Sequence, residues 1–307
     1  MSSMDDKSLL TYPVSKIKNK AKRKEIYSKQ KKLKTKLKLK KRKRNKIEAE
    51  QLGEESQKKV AKTQDNTKVK DETVVDPEDE EIKAEEDFDE FSDILSGKIT
   101  PKIVITSSYK PTKIMYDFIL ELMRVIPGSS YYKRNKHEIK KIVKECSEKG
   151  FTDIIIVNED SKNLNGLTHI HLPGGPTAYY KLTSVKLSKD IPNCGRPINV
   201  KPEVILNNFG TRLGQRVARM LGALFGARPD FKGRRVATFH NQRDFIFFRH
   251  HRYIFDGPEK ANLQQLGPSF TLKLRWLMKG TFDTKSGEYE WIHKRREMDT
   301  SRKRFFL

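Results

Sequence analysis

The sequence predicts an α/β protein with mixed sheets, built as two similar halves and preceded by a long charged tail that is disordered or helical. Three observations support this fold class. Residues 103–133 and 204–240 both show an apolar strand pattern, a polar turn, an amphipathic helix pattern and a second strand pattern, in that order. Prolines and a glycine cluster between them, at 186–201. The first 99 residues carry dense charge without apolar periodicity.

The composition indicates an anionic partner. The 307 residues carry a formal net charge of +24, and 34% of them are charged. A balance this basic is typical of proteins that bind nucleic acid or another anionic surface. No apolar run approaches the roughly 20 residues that cross a bilayer, and the first residues lack the apolar core of a secretory signal. The two cysteines, Cys146 and Cys194, have no metal-binding spacing, so we expect a reducing intracellular compartment.

The tail, residues 1–99, changes sign along its length. Residues 16–46 hold eighteen Lys or Arg and one acid, which predicts a solvated helix or one that forms on binding. Residues 71–93 hold thirteen acids and one lysine, and we expect them to be disordered. This acidic segment could mask the basic arm, dock a basic protein, carry phosphorylation sites or act as a spacer.

Five cations of the basic arm are consecutive: Lys40, Lys41, Arg42, Lys43 and Arg44. Such a run is typical of a nuclear or nucleolar address, of an arm that binds nucleic acid, or of both. A tail that only adds solubility is the alternative.

The first half of the predicted fold spans about residues 100–190. A buried strand at 103–105 precedes an amphipathic helix that begins after Pro111 and ends before Pro127. A second amphipathic helix covers 137–149, with Cys146 on its apolar face. Three further strand patterns follow, at 151–157, 167–172 and 178–183.

The second half spans about residues 200–280 and is organised around one helix. Thr211 is the expected N-cap, and Gly226 is the expected stop after Phe225. The helix has an apolar stripe, a small-residue face and an arginine face. These comprise, in turn, Leu213, Val217, Met220, Leu221 and Leu224; Gly214, Ala218 and Gly222; and Arg212, Arg216 and Arg219.

Strand patterns follow the helix at 234–240, 245–255 and 272–279. In the last of these, Leu272, Leu274, Trp276 and Met278 alternate with Lys273, Arg275, Leu277 and Lys279. The alternation predicts one buried face and one largely basic face. A hairpin and a basic tail occupy about residues 281–307, and we expect the aromatic residues of the tail to pack on the domain rather than to stack on bases.

Motifs of catalysis are lacking in the sequence. It contains no Gly-x-x-x-x-Gly-Lys loop, no Gly-x-Gly-x-x-Gly and no Gly-x-Ser-x-Gly elbow. His250 and His251 are adjacent, so on a strand they face opposite sides and cannot chelate one metal together. Glu159 and Asp160 follow an apolar strand, where acidic catalysts can lie, but no second pair of carboxylates is placed to share a metal with them. The sequence therefore favours a binding protein over an enzyme, with no cofactor.

Several motifs, in order along the chain, resemble the Brix family of ribosome assembly factors. One is Ile-Ile-Ile-Val-Asn-Glu-Asp at 154–160, and another is Asn-Asn-Phe-Gly-Thr-Arg-Leu-Gly at 207–214. The others lie at 172–182, 236–248, 266–274 and 288–306, the last resembling one branch of the family in particular. The resemblance covers about residue 101 to residue 307.

The resemblance implies a fold of two anticodon-binding-like halves without enzymatic activity. Members bind precursor ribosomal RNA in the nucleolus, usually with a small obligate protein partner, and the branch resembled here acts in early assembly of the large subunit. The helix at 212–225 matches the sigma-seventy-like motif of the family, a name that carries no transcriptional role. The acidic segment lies outside the resemblance.

We therefore expect a nucleolar, non-catalytic protein that contacts RNA mainly through phosphates. Besides the run at 40–44, the candidate phosphate contacts are Arg212, Arg216, Arg219, Arg243, Arg249, Arg252, Lys273 and Arg275. One alternative is a scaffold that docks acidic proteins and meets RNA only indirectly. The other is a metal-dependent nuclease of precursor RNA, which would need Asp160 or Asp244.

Overall fold

The structure, a computed structural model, describes residues 13–14, 17–52, 63, 65–69, 72–75, 80–196, 198–258, 260–283, 285–298 and 303–307. Lys16, Asp71, residues 76–79 of the acidic segment, Pro197 and Arg302 lie outside the described residues. The chain forms two compact units, Met1–Thr63 and Gln64–Leu307. The acidic segment thus lies within the second unit, and the domain boundary near residue 99 stays a prediction.

The first unit contains one long helix, α1 (Lys20–Leu52). Asn19 caps it, because its Oδ1 accepts hydrogen bonds from the backbone N of Ala21 at 3.0 Å and of Lys22 at 3.2 Å. The helical form expected for the basic arm is therefore present. No described helix in either unit is long and apolar enough to cross a membrane.

In the described part of the second unit, eleven strands form one mixed sheet. They are β1 (Ile103–Ser107), β2 (Ser129–Tyr131), β3 (Asp153–Asp160), β4 (Asn163–His171), β5 (Thr177–Lys186), β6 (Glu203–Asn207), β7 (Arg235–Gln242), β8 (Phe245–Phe255), β9 (Ala261–Gln265), β10 (Ser269–Met278) and β11 (Tyr289–Ile292). Their order is β2-β1-β3-β4-β5-β10-β8-β7-β6, with β9 paired to β8 and β11 to β10. β1 is parallel to β2 and β3, and β6 is parallel to β7.

Among the described residues of this unit, six α-helices accompany the sheet: α2 (Glu80–Asp87), α3 (Ser92–Leu95), α4 (Lys113–Val125), α5 (Ile139–Glu148), α6 (Arg212–Ala223) and α7 (Arg295–Met298). Side chains alternate between the two faces of the sheet. Ile103 and Ile105 join the larger core with α4 and α6, whereas Val104 joins a smaller core with α5. Helices α4 and α6 thus cover one face of the sheet, and α5 covers part of the other.

The two similar halves are present as predicted, since β1-α4-β2 and β6-α6-β7 are both parallel strand-helix-strand units. The units are placed differently in the sheet: β1 lies inside it, whereas β6 lies at its edge. The halves share a single sheet because β5 pairs with β10 over eight positions.

Strand β10 departs from the predicted alternation at one point. Its register against β5 shifts between Leu274 and Trp276, as in a β-bulge. Because of this extra residue, Leu277 is fully buried in the core and Trp276 stacks on Tyr179 outside it. The prediction that Trp276 is buried and that Leu277 lies on the basic face was wrong.

Candidate nucleic-acid interface

Helix α6 begins at its predicted cap. Oγ1 of Thr211 accepts a hydrogen bond from the backbone N of Gly214 at 2.9 Å and donates one to the backbone O of Phe306 at 2.7 Å. A Cβ on Gly214 would lie 2.7 Å from the backbone carbonyl carbon of Leu307. The small-residue face therefore does admit another backbone, and Leu307 is buried, as the packing hypothesis for the last aromatic and apolar residues requires.

The arginine face of α6 is occupied by the acidic segment of the same chain. Nη2 of Arg212 lies 2.8 Å from Oε1 of Glu85, and Nη2 of Arg216 lies 3.1 Å from Oε1 of Glu90. Nε of Arg216 also lies 3.0 Å from a carboxylate oxygen of Glu290. These carboxylates stand where a phosphate would have to bind.

Arg219 makes the most enclosed of these contacts. Its Nη2 donates to Oδ1 of Asp89 at 2.8 Å and to the backbone O of Glu86 at 2.6 Å. The side chain of Arg219 is 19% exposed and that of Asp89 is 14% exposed. Burial alone would lower the pKa of Arg219, but the hydrogen bond with Asp89 and the nearby carboxylates raise it by more, so the guanidinium stays charged.

Two apolar side chains anchor the acidic segment. Phe91 is fully buried and Ile94 nearly so, both in the larger core. The ring of Phe91 lies 4.8 Å from the imidazole of His171, and Nε2 of His171 lies 3.3 Å from the backbone O of Glu90. The expectation of disorder therefore differs from the structure from Glu80 onward, because burial of these side chains in the core holds the segment in place.

The histidine in contact with Phe91 belongs to a buried cluster of one carboxylate and two imidazoles. Oδ1 of Asp153 lies 2.8 Å from Nδ1 of His171 and 3.0 Å from Nε2 of His169. Burial would raise the pKa of Asp153, but the hydrogen bonds with both histidines lower it well below its usual range. Burial lowers the pKa of His171, and its hydrogen bond with Asp153 raises it by more, so the net shift is upward.

A second basic surface lies on the other face of the sheet. Ile246, Phe248, Leu272 and Leu274 point into the core with α4 and α6, so the side chains between them point away from it. We call this surface the open sheet face. It comprises Tyr179, Lys181, Phe245, Phe247, Arg249, Lys273, Arg275 and Trp276, all half-buried or exposed.

Cations and aromatic rings are interleaved on the open sheet face. Nζ of Lys273 lies 4.9 Å from the ring centre of Phe245, and the guanidinium carbon of Arg249 lies 5.9 Å from that of Phe247. Tyr179 and Trp276 stack with their ring centres 5.5 Å apart. Lys273 pairs across the strands with Lys181, so like charges lie side by side. Such a surface can stack bases and neutralise phosphates together.

The other predicted contacts are more scattered. Arg243 is exposed in the turn between β7 and β8, and Arg252 is half-buried farther along β8. Nη1 of Arg249 donates to the backbone O of Phe248 at 2.7 Å, and burial lowers the pKa of Arg249. The run at 40–44 is exposed on α1, in the first unit. Only Arg249, Lys273 and Arg275 of the predicted set are brought onto one surface with aromatic rings.

Arg235 is fully buried, which was not predicted from the sequence. Nε of Arg235 donates to Nε2 of His250 at 3.1 Å, and its Nη2 donates to the backbone O of Arg124 at 2.9 Å. Nη1 of Arg235 donates to the backbone O of Val200 at 2.6 Å. Burial lowers the pKa of His250 to about 4, so its ring is neutral and can accept this hydrogen bond. Its burial could have been predicted from position, because Arg235 lies on the same face of β7 as the apolar Ala237 and Phe239.

Of the two carboxylates that a nuclease would need, Asp244 has a structural role. Oδ1 of Asp244 accepts hydrogen bonds from the backbone N of Phe306 at 2.7 Å and of Leu307 at 3.0 Å. Asp160 is exposed at the end of β3. Among the described residues, no group of three or more His, Cys, Asp or Glu side chains is arranged to hold a metal ion.

Comparison with known proteins identifies the family. The Brix domain matches residues 108–276. Ribosome production factor 1 of Mus musculus is 51% identical over 298 residues, which cover 96% of this chain and 85% of that protein. Ribosome production factor 1 of Saccharomyces cerevisiae is 44% identical over 254 residues, 81% of each chain. The resemblance seen at 288–306 is to this branch.

Two solved structures show a weaker likeness. A probable ribosomal biogenesis protein from Aeropyrum pernix matches 63% of this chain and 99% of its own, with a TM-score of 0.44 and 15% identity. The archaeal Imp4-like protein Mil matches with a TM-score of 0.36 and 17% identity. The sequence matches alone show the family, since the Brix domain covers more than half of the chain and the relatives are about 50% identical to it. The chain belongs to the Brix domain family.

Proposed function

We propose that this chain is a non-enzymatic factor that binds precursor ribosomal RNA during assembly and processing of the large (60S) ribosomal subunit, in the nucleolus. Its membership of the Brix family and its relatives named ribosome production factors support a role in ribosome production. Residues 100–307 carry 38 Lys or Arg and 19 Asp or Glu, so a polyanion is attracted to the folded region as well as to the tail. The run at 40–44 serves as a nuclear address and an additional RNA arm.

The main support for this proposal is the mixture of cations and aromatic rings on the open sheet face. Its cations, Arg249, Lys273, Arg275 and Lys181, lie among four aromatic side chains on a rigid sheet. Single-stranded RNA is bound on such platforms by stacking of bases on rings and by phosphate contacts to cations. The arginines of α6 form a second proposed set, and they can reach phosphate only by exchanging their carboxylate partners for it.

Removing the cations of the open sheet face tests the proposal. The variant Arg249→Gln, Lys273→Gln, Arg275→Gln is compared with wild type by fluorescence anisotropy, using a labelled single-stranded fragment of large-subunit precursor RNA at several salt concentrations. With three fewer phosphates neutralised, the slope of log affinity against log salt should fall in magnitude by about 2, since each neutralised phosphate of a single strand contributes roughly 0.7.

The matched control is Lys162→Gln, Lys189→Gln, Lys232→Gln, three exposed lysines away from this face. Equal weakening in both variants would contradict the proposal, because binding would then follow net charge alone. In cells, ultraviolet crosslinks should join large-subunit precursor RNA to peptides within residues 212–275. Crosslinks scattered over abundant RNAs, with peptides only from residues 16–46, would contradict it as well.

A protein-docking role is the second candidate, and one feature favours it. The β8–β9 hairpin exposes three large apolar side chains, Ile254, Phe255 and Leu263, which are 53%, 66% and 62% exposed. Leu263 pairs with Tyr253, so Leu263 and Phe255 lie on one face of the hairpin and Ile254 lies on the other. Exposed apolar side chains on both faces of a hairpin are typical of a segment that a protein partner covers. We propose this hairpin as the contact for a small assembly-factor partner, alongside RNA binding by the open sheet face.

A further inference from the structure

A pocket at the ends of two parallel strands carries an inference beyond the open sheet face. Strand β1 leads into α4, on one face of the sheet, and its neighbour β2 leads into α5, on the other face. In open α/β sheets, a crevice forms where the connections of adjacent parallel strands diverge in this way, outside their carboxyl ends. Such crevices bind ligands.

The structure has a cavity of about 560 Å³ at this position, which we call the switch-point pocket. The end of β1 with the segment after it, the segment that follows β2 and one residue of α4 line it. The lining includes Ser108, Tyr109, Lys110, Lys133 and Lys136. None of them belongs to the open sheet face.

The chemistry of the switch-point pocket suits an anion. Three of its lining residues are lysines, Lys110, Lys133 and Lys136, and none is a carboxylate. In the part of the chain that the structure describes, Lys98 and Lys189 form ion pairs with aspartates, whereas these three lysines form none. Three cations facing one cavity without a counterion bind phosphate groups well.

Polar and aromatic groups in the pocket favour a ligand that carries a base as well as a phosphate. Oγ of Ser108 is shielded from solvent and has no hydrogen-bond partner. Tyr109 is 53% exposed, and Nζ of Lys110 lies 5.4 Å from its ring centre. An exposed ring beside a cation can stack on a base while the cation holds the adjoining phosphate.

The N-terminus of α4 is not the anion site. Thr112 occupies the N-cap position of α4, and its backbone N and Oγ1 already donate to the carboxylate of Glu159 at 3.1 Å and 2.8 Å. The first helical residues, 113–115, do not line the pocket. A phosphate in the pocket must therefore be held by the lysine side chains.

We propose that the switch-point pocket binds one nucleotide of a single RNA strand, with its phosphate among the three lysines and its base on Tyr109. This proposal rests on the proposed RNA-binding function and adds a further RNA contact, at the carboxyl ends of β1 and β2.

The test uses the full chain and a fluorescein-labelled single strand of twelve uridines. The double variant Lys133→Gln, Lys136→Gln should reduce the magnitude of the slope of log affinity against log salt by about 0.7, because the one phosphate held in the pocket is no longer neutralised. Tyr109→Ala should weaken binding about fivefold or more, and ultraviolet crosslinking should attach uridine to Tyr109 in wild type. The control substitutions are Lys162→Gln with Lys189→Gln, and Phe231→Ala at an exposed ring in the other half.

Three outcomes would overturn the proposed binding of RNA in the switch-point pocket. Wild-type affinity and salt slope in both pocket variants, with weaker binding by the open-face variant, would overturn the pocket and leave the proposed function standing. Failure of the wild-type chain to bind any RNA strand would overturn both. Displacement of the strand by free uridine monophosphate from the wild-type pocket at micromolar concentration would also overturn it, since the ligand would then be a free nucleotide.

Discussion

The contact between Asp89 and Arg219 gives the sharpest test of how the acidic segment is held. Two arginines of α6 form ion pairs that differ in exposure and in the number of contacts. In the Asp89–Arg219 pair the side chains are 14% and 19% exposed, and Arg219 binds both carboxylate oxygens. In the Glu85–Arg212 pair the side chains are 64% and 59% exposed, and one contact is made.

These geometries set the expected coupling free energies. An enclosed, bidentate pair of charged groups contributes about 2 kcal/mol to the free energy of unfolding. An exposed pair with one contact contributes at most about 0.5 kcal/mol, because water and salt screen it. A double-mutant cycle with Asp89→Ala and Arg219→Ala isolates the coupling free energy between these two side chains, even though Arg219 also contacts Glu86.

The measurement is urea unfolding of the full chain and of both sets of single and double variants, followed by circular dichroism and tryptophan fluorescence. The coupling between Asp89 and Arg219 should persist in 1 M NaCl, whereas that between Glu85 and Arg212 should vanish. Equal, small couplings in both cycles would refute the reasoning. The arginine face of α6 would then exchange its carboxylate partners for phosphate at little electrostatic cost, while Phe91 would still hold the segment in the core.

Two further outcomes follow from buried groups. Gly214→Ala should lower the free energy of unfolding in urea by about 1–3 kcal/mol, because its Cβ would meet the backbone of Leu307. Gly222→Ala should be near neutral, because its Cβ would meet only the ends of two flexible side chains, Leu206 at 3.2 Å and Leu95 at 3.8 Å. Similar destabilisation at both sites would contradict this. The free energy of unfolding should fall by about 1.5 kcal/mol from pH 6.5 to pH 5, because the pKa of His250 is about 4 when folded and about 6.5 when unfolded, so the unfolded chain takes up the proton first. The raised pKa of His171 acts in the opposite direction and above pH 6.5. In a His250→Gln variant the fall in the free energy of unfolding between pH 6.5 and pH 5 should be smaller than in wild type, and a pH profile parallel to that of wild type would argue against this account.

Local patterns were enough to predict much of the second half. The cap at Thr211, the buried stripe of α6 and its close approach to another backbone follow from residue spacing on a single helix. The parallel strand-helix-strand units follow for the same reason. Two of the cations that share the open sheet face, Lys273 and Arg275, lie on one strand pattern, so their common surface was also predictable.

Long-range contacts set the limit of the prediction. The acidic segment is ordered by Phe91 entering a core formed by residues distant in sequence, which composition alone does not reveal. The bulge in β10 depends on its pairing with β5 and moves Trp276 to the outer face. Arg235 is buried because the carbonyl groups of Val200 and Arg124 converge on it, and neither is adjacent to it in sequence.

The pairing of β5 with β10 has a consequence for the order of synthesis. Lys181 emerges from the ribosome 92 residues before its partner Lys273. At roughly 5–20 residues per second, this delay lasts on the order of 5–20 s. During that interval the completed first half presents β5 as an unpaired sheet edge, which is prone to pair with other chains. A nascent chain of this protein therefore depends on rapid translation or on a temporary cover over β5 until its own second half arrives.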